Sequence, residues 1–115
     1  MFIKGLMKDN GIDITIKNNP GHILAPDDWG MVMDVKFGKI SSEAYKTYYL
    51  ELLKKRWVTR KDEFIELARQ GTEQDIVLRC YCPKTDTFCH AYLAAKFMNN
   101  LVGRMKQIGE STTHD

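Results

Sequence analysis

The stretch from Asp75 to His90 constrains this chain more than any other. It begins with an apolar run, Ile76-Val77-Leu78-Arg79-Cys80-Tyr81-Cys82, passes through the polar turn Pro83-Lys84-Thr85-Asp86-Thr87, and ends in Phe88-Cys89-His90 at the head of a long amphipathic pattern. A short apolar run bounded by turn residues reads as a buried strand, and the pattern after it reads as a helix. In open α/β sheets, ligands gather outside the carboxyl ends of the strands, so this strand-to-helix corner is where chemistry is expected. All three cysteines fall within it.

Turn and cap signals divide the rest of the chain. Asn10-Gly11 follows the apolar opening Phe2 to Met7, and Ile12-Asp13-Ile14-Thr15-Ile16 then alternates strictly. Asn-Gly tolerates positive φ at both positions, so an N-terminal β-hairpin is predicted. Asn18-Asn19-Pro20-Gly21 and Ala25-Pro26 are breaks. From Asp27 to Phe37 the apolar residues fit both a strand and a helix, while Asp27-Asp28 would start a helix and Gly38 would stop one.

Ser41 or Ser42 caps a helix predicted from Glu43 to about Trp57, with Tyr45, Tyr48, Tyr49, Leu52 and Leu53 on its apolar face. Lys54-Lys55-Arg56 reads as a solvated C-terminal turn that complements the helix dipole. Thr59, with Asp62 three residues on, is a candidate cap for a helix burying Phe64, Ile65, Leu67 and Ala68 and ending at Gly71. A last helix is expected from about Phe88 to Gln107, with a polar, frayed tail over 109–115. The fold class is therefore α/β: one small domain, 1–115, with a parallel or mixed sheet flanked by helices.

A net charge of +2 is too small to point to nucleic acid or to a membrane surface. No apolar run approaches the roughly 20 residues of a spanning helix, and the N-terminus lacks a signal-peptide layout. Three close cysteines fit a reducing compartment better than a disulfide framework, so a cytoplasmic protein is expected, although a Cys82–Cys89 bridge is compatible with the spacing.

Strand alternation points Cys80 and Cys82 to one face and Arg79 and Tyr81 to the other. Cys89 falls at a helix N-terminus, where backbone N–H groups favour an anion and can lower a thiol pKa from about 8.5. His90 beside it is a candidate proton donor or acceptor. Three readings follow: a reactive or ligand-contacting site, a Cys/His zinc module, or cysteines that only pack. The zinc reading is weakened because adjacent helical residues diverge by about 100°.

The segment from Leu24 to Leu101 resembles the proteins grouped as domain of unknown function 488. The resemblance rests on Leu24-Ala25-Pro26, Lys36 with Gly38, Tyr45 and Tyr49 at helical spacing, Asp75 to Tyr81, and Thr87-Phe88-Cys89-His90. It implies a small α/β domain with a parallel sheet, a helix over 27–37, and a site made of Lys36, Tyr45, Tyr49, Cys80, Cys89 and His90. It brings no settled activity and no cofactor. Ala91 stands where the family pattern has arginine, so charge for an anion would come from Lys36, Arg79 or Lys84.

The leading expectation is a small protein that binds or processes an anionic metabolite or nucleotide. Cys89, His90, Tyr45 and Lys36 would do the chemistry, with Cys80, Cys82, Tyr49 and Lys84 contacting the ligand. The competing expectation is a non-catalytic interaction module whose Cys-His turn is structural.

Overall fold

The computed structural model describes residues 1–80 and 89–114, with side chains through residue 105. Three strands, β1 (Phe2–Leu6), β2 (Ile12–Asp13) and β3 (Ile76–Cys80), form a parallel sheet in the order β1-β3-β2. Four helices accompany them: α1 (Trp29–Lys36), α2 (Ser42–Thr59), α3 (Lys61–Glu73) and α4 (His90–His114). The small α/β domain is as the sequence predicts.

β3 takes the centre because it is the most apolar strand, and a central parallel strand is covered on both faces and bonded on both edges. Ile76, Leu78 and Cys80 are buried on one face, packed with Phe2, Phe64, Ala94 and Met98 in a single core. Val77 and Arg79 turn to the other face and are half-buried.

The hairpin expected at Asn10-Gly11 does not form. β1 and β2 lie on opposite edges of β3, with Leu6 in register with Cys80 and Asp13 with Arg79. The chain turns one step earlier, over residues 6–9: the Asp9 carboxylate accepts the Leu6 N–H at 2.7 Å, and the Asp9 N–H donates to the Leu6 carbonyl at 3.0 Å, while neither Asn10 nor Gly11 takes a positive φ. The chain then crosses over β3. At Gly11 a Cβ would fall 2.3 Å from the Val77 carbonyl oxygen, so glycine serves here for close passage, not for a hairpin turn. A hairpin would have left β3 with one unbonded edge. The outer edge of β1 is covered from α4: Asn99 accepts the Phe2 N–H at 2.6 Å and donates to its carbonyl at 3.0 Å.

Segment 27–37 is helical, with the Asp28 carboxylate capping α1 through the Met31 N–H and Gly38 in the left-handed region at φ 74°. Ser41 caps α2 through the Ala44 N–H. Two boundary expectations fail. Thr59 is not a cap; it is the last residue of α2, with its hydroxyl turned back to the Lys55 carbonyl, and Arg60 precedes α3 without a side-chain cap bond. Gly71 does not end α3, because there it admits the Phe2 ring, 2.4 Å from where a Cβ would sit. Ile65, expected inside, is exposed. The backbone of α4 is helical through His114, across most of the stretch expected to fray.

Gly11→Ala is expected to destabilise the fold by about 1–3 kcal/mol in urea titration, since the crossing over β3 has no room for a methyl group. Gly103→Ala in α4, where nothing lies within 4 Å of the new Cβ, is expected to raise stability by up to about 1 kcal/mol.

Candidate functional site

The corner between β3 and α4 gathers five of the predicted site residues. Cys80 ends β3 on its buried face, and Cys89 immediately precedes the first residue of α4. Their sulfur atoms stand 3.1 Å apart. His90 opens α4, and its Nε2 lies 3.0 Å from the Ile14 carbonyl oxygen. A carbonyl only accepts, so Nε2 carries the proton in this contact. Burial is the main cause holding the His90 pKa below its ordinary value, so the imidazole is neutral.

The Ile14 carbonyl is itself held in place. The Asp13 carboxylate accepts the Thr15 N–H at 2.9 Å, the Thr15 hydroxyl at 2.7 Å and the Asn18 amide at 2.9 Å. Burial pushes the Asp13 pKa up, but these bonds, together with Arg79, leave it below the ordinary carboxylate value.

Tyr45 and Tyr49 close the corner from α2. Their rings stack at 6.5 Å, and Tyr49 meets His90 edge-on at 5.8 Å. The Tyr49 hydroxyl donates to the Leu24 carbonyl at 2.7 Å, and burial is the main cause raising its pKa well above the ordinary value. Both tyrosines are buried, so they act as packed anchors and not as phenols facing solvent.

Lys36 is not brought to this cluster. It is exposed at the end of α1 and makes no hydrogen bond or ion pair with the corner among the described residues. Cys82 and Lys84, both expected to contact ligand, lie outside the described residues. Among those described, no three His, Cys, Asp or Glu side chains come together to hold a metal ion; Cys80 and Cys89 are the nearest approach to a ligand pair.

The corner is closed. Cys80 is 0% exposed, Cys89 4% and His90 8%. Two open grooves lie elsewhere. One, of about 660 Å³, runs between the Asn19–Ile23 loop and α3, past His22 and Arg60. The other, of about 470 Å³, lies between α2 and α4, with Lys46 and Lys96 beside an apolar floor of Leu50, Leu93 and Phe97. Neither groove is lined by Cys80, Cys89, His90, Tyr45, Tyr49 or Lys36.

Arg56 is the residue that sequence reasoning missed. Instead of forming a solvated helix end, its guanidinium donates to the carbonyls of His22, Ile23 and Ala25. Tyr48 does similar work one step along: its hydroxyl donates to the Asp27 carboxylate at 2.7 Å and accepts the N–H groups of Asp27 and Asp28 at 3.0 Å each. Burial first, then the bond to Asp27, pushes the Tyr48 pKa up to about 12. Together with Tyr49, these side chains clamp segment 22–28 onto α2. The partners are 20 to 34 residues apart in sequence, so no local pattern announces them.

Comparison of the chain with protein-family models, with curated proteins and with solved structures gives no match. The resemblance to the domain of unknown function 488 proteins therefore stands on the quoted residues alone. Of those residues that the structure describes, most are buried, as Tyr49 is against Leu24.

Tyr49→Phe is expected to cost about 1–3 kcal/mol of stability in denaturant titration, because it leaves the buried Leu24 carbonyl without its donor. For His90 the sign follows from a folded pKa lower than the unfolded one. The stabilisation is full above the unfolded value of 6.5 and is lost as pH falls from there toward the folded value, because the unfolded chain takes up the proton first. Thermal stability is accordingly expected to fall below pH 6.5, and less steeply in His90→Gln.

Proposed function

We propose that this protein is a non-catalytic interaction module that assembles through α1, its occupant being a second copy of the chain. The observation that carries this reading is the apolar character of α1. Trp29, Met31, Val32, Met33, Val35 and, just past its end, Phe37 cover most of the circumference, interrupted by Gly30, Asp34 and Lys36, and no residue of the helix is buried. Trp29 is 50% exposed and Phe37 66%. A helix with so wide an apolar surface normally has more of it covered than a single neighbouring helix can cover. Here it rests on α2 and leaves its remaining surface to be covered.

Charge placement argues for a second copy. Asp27 and Asp28 precede α1, while Lys36 ends it and Lys39 follows, and all four are exposed. Two α1 helices packed antiparallel about a twofold axis put the acidic end of each opposite the basic end of the other, as an isologous interface requires. Met31 and Met33 suit such a contact, since their unbranched side chains adapt to a facing surface.

In this reading the Cys89–His90 turn is structural. An anionic metabolite or nucleotide processed at that turn draws less support. Both side chains are buried, Lys36 is exposed at the end of α1, and neither of the two grooves described is lined by them.

Sedimentation equilibrium across a concentration series tests the assembly. A monomer–dimer equilibrium is expected, weakened at least about tenfold by Trp29→Ser with Phe37→Ser, as the loss of aromatic anchors predicts, and weakened by added salt. A chain that stays monomeric at every concentration, or a dimer indifferent to these substitutions, overturns the reading.

A further inference from the structure

Two buried thiols face each other at the corner, and neither the fold nor the proposed assembly uses their chemistry. Cys80 is the last residue of β3, and Cys89 directly precedes α4. In sequence the nearer candidate partner of Cys89 is Cys82, yet it is the Cys80 sulfur that stands 3.1 Å from that of Cys89. A disulfide has its sulfurs at about 2.05 Å, so the pair must close by only about 1 Å, within the reach of small side-chain rotations.

From this geometry we infer that Cys80 and Cys89 form a reversible oxidation site, taking a small aliphatic disulfide as co-reactant and closing a covalent link between the central strand and α4. Cys89 reacts first. It is the more exposed of the two, and it stands at the start of α4 instead of inside the central strand. Its thiol gives up a proton, and the sulfur attacks one sulfur of the co-reactant. The S–S bond of the co-reactant breaks, one thiolate leaves, and a mixed disulfide remains on Cys89. The Cys80 thiol then loses its proton, and its sulfur attacks the Cys89 sulfur, expelling the second thiolate. Two protein thiols are oxidised by two electrons, and the co-reactant is reduced to two thiols, which take up the two protons. Burial of both sulfurs makes the reaction slow, because a small molecule reaches Cys89 only when the corner opens locally.

The bond encloses residues 81–88 in a covalent loop and joins the two elements that His90 already ties to Ile14. Cross-linking removes loop freedom from the unfolded chain, so the oxidised protein is the more stable form.

The test is incubation of the folded full chain with oxidised glutathione, followed by intact mass, thiol alkylation and chymotryptic mapping, since cleavage after Tyr81 separates Cys80 from Cys82. The expected result is loss of two hydrogens and a peptide pair joined through Cys80 and Cys89. The melting temperature should rise by about 10 °C and return on reduction with dithiothreitol. Cys82→Ser should keep both effects, and Cys89→Ser should lose them. A bond through Cys82, a mixed disulfide that never resolves, or a wild-type chain that stays fully reduced while the same chain oxidises in denaturant would each overturn the inference. The wild-type mapping decides the matter even if a variant fails to fold.

Discussion

Hydrogen bonding of β3 on both edges is the constraint from which the architecture follows. A strand that is apolar and bonded on both sides must be central, so the two N-terminal strands are forced to opposite edges of it. That separation sends the chain across β3 at Gly11 and routes the long connection through α1, α2 and α3 before β3 is made. It also places the end of β3 and the start of α4 inside the molecule, where Cys80, Cys89 and His90 are buried.

The buried corner is a consequence of that placement. A cysteine pair and a neutral histidine have few polar demands, and each is met locally: sulfur against sulfur, and imidazole against the Ile14 carbonyl. The aspartate turn that fixes Ile14 makes the contact specific, because one carbonyl in one position accepts the hydrogen bond from the Nε2–H. From the other side, α2 spends much of its inward face on clamping segment 22–28, through Tyr48, Tyr49 and Arg56. The clamp orients the start of α1, and through it the exposed apolar surface that Trp29 and Phe37 carry.

Much of the fold was legible in the sequence because its signals are local. The apolar run at Ile76, the serine before α2, the aspartate before α1 and Gly38 after it act within a few residues, and each is used as its chemistry suggests. Asn10-Gly11 misled because an Asn-Gly pair states only that the chain can turn, not which edge the next strand will find. Gly71 misled for a related reason: a glycine that makes room for a distant ring looks the same in sequence as one that ends a helix.

By itself the sequence determined most of the elements and the burial of the central strand, since hydrophobic period and capping chemistry are read from neighbouring residues. The grouping of Tyr45 and Tyr49 with Cys80, Cys89 and His90 came only as what the family resemblance implied. Tertiary structure alone decided that the sheet is parallel with β3 between its partners, that the corner is closed, and that Arg56 serves a loop instead of solvent. It also left Lys36 outside the cluster and α1 on the surface. Exposure and pairing depend on which distant segment arrives at a given face, and that is a property of the packed chain as a whole, not of any stretch of it.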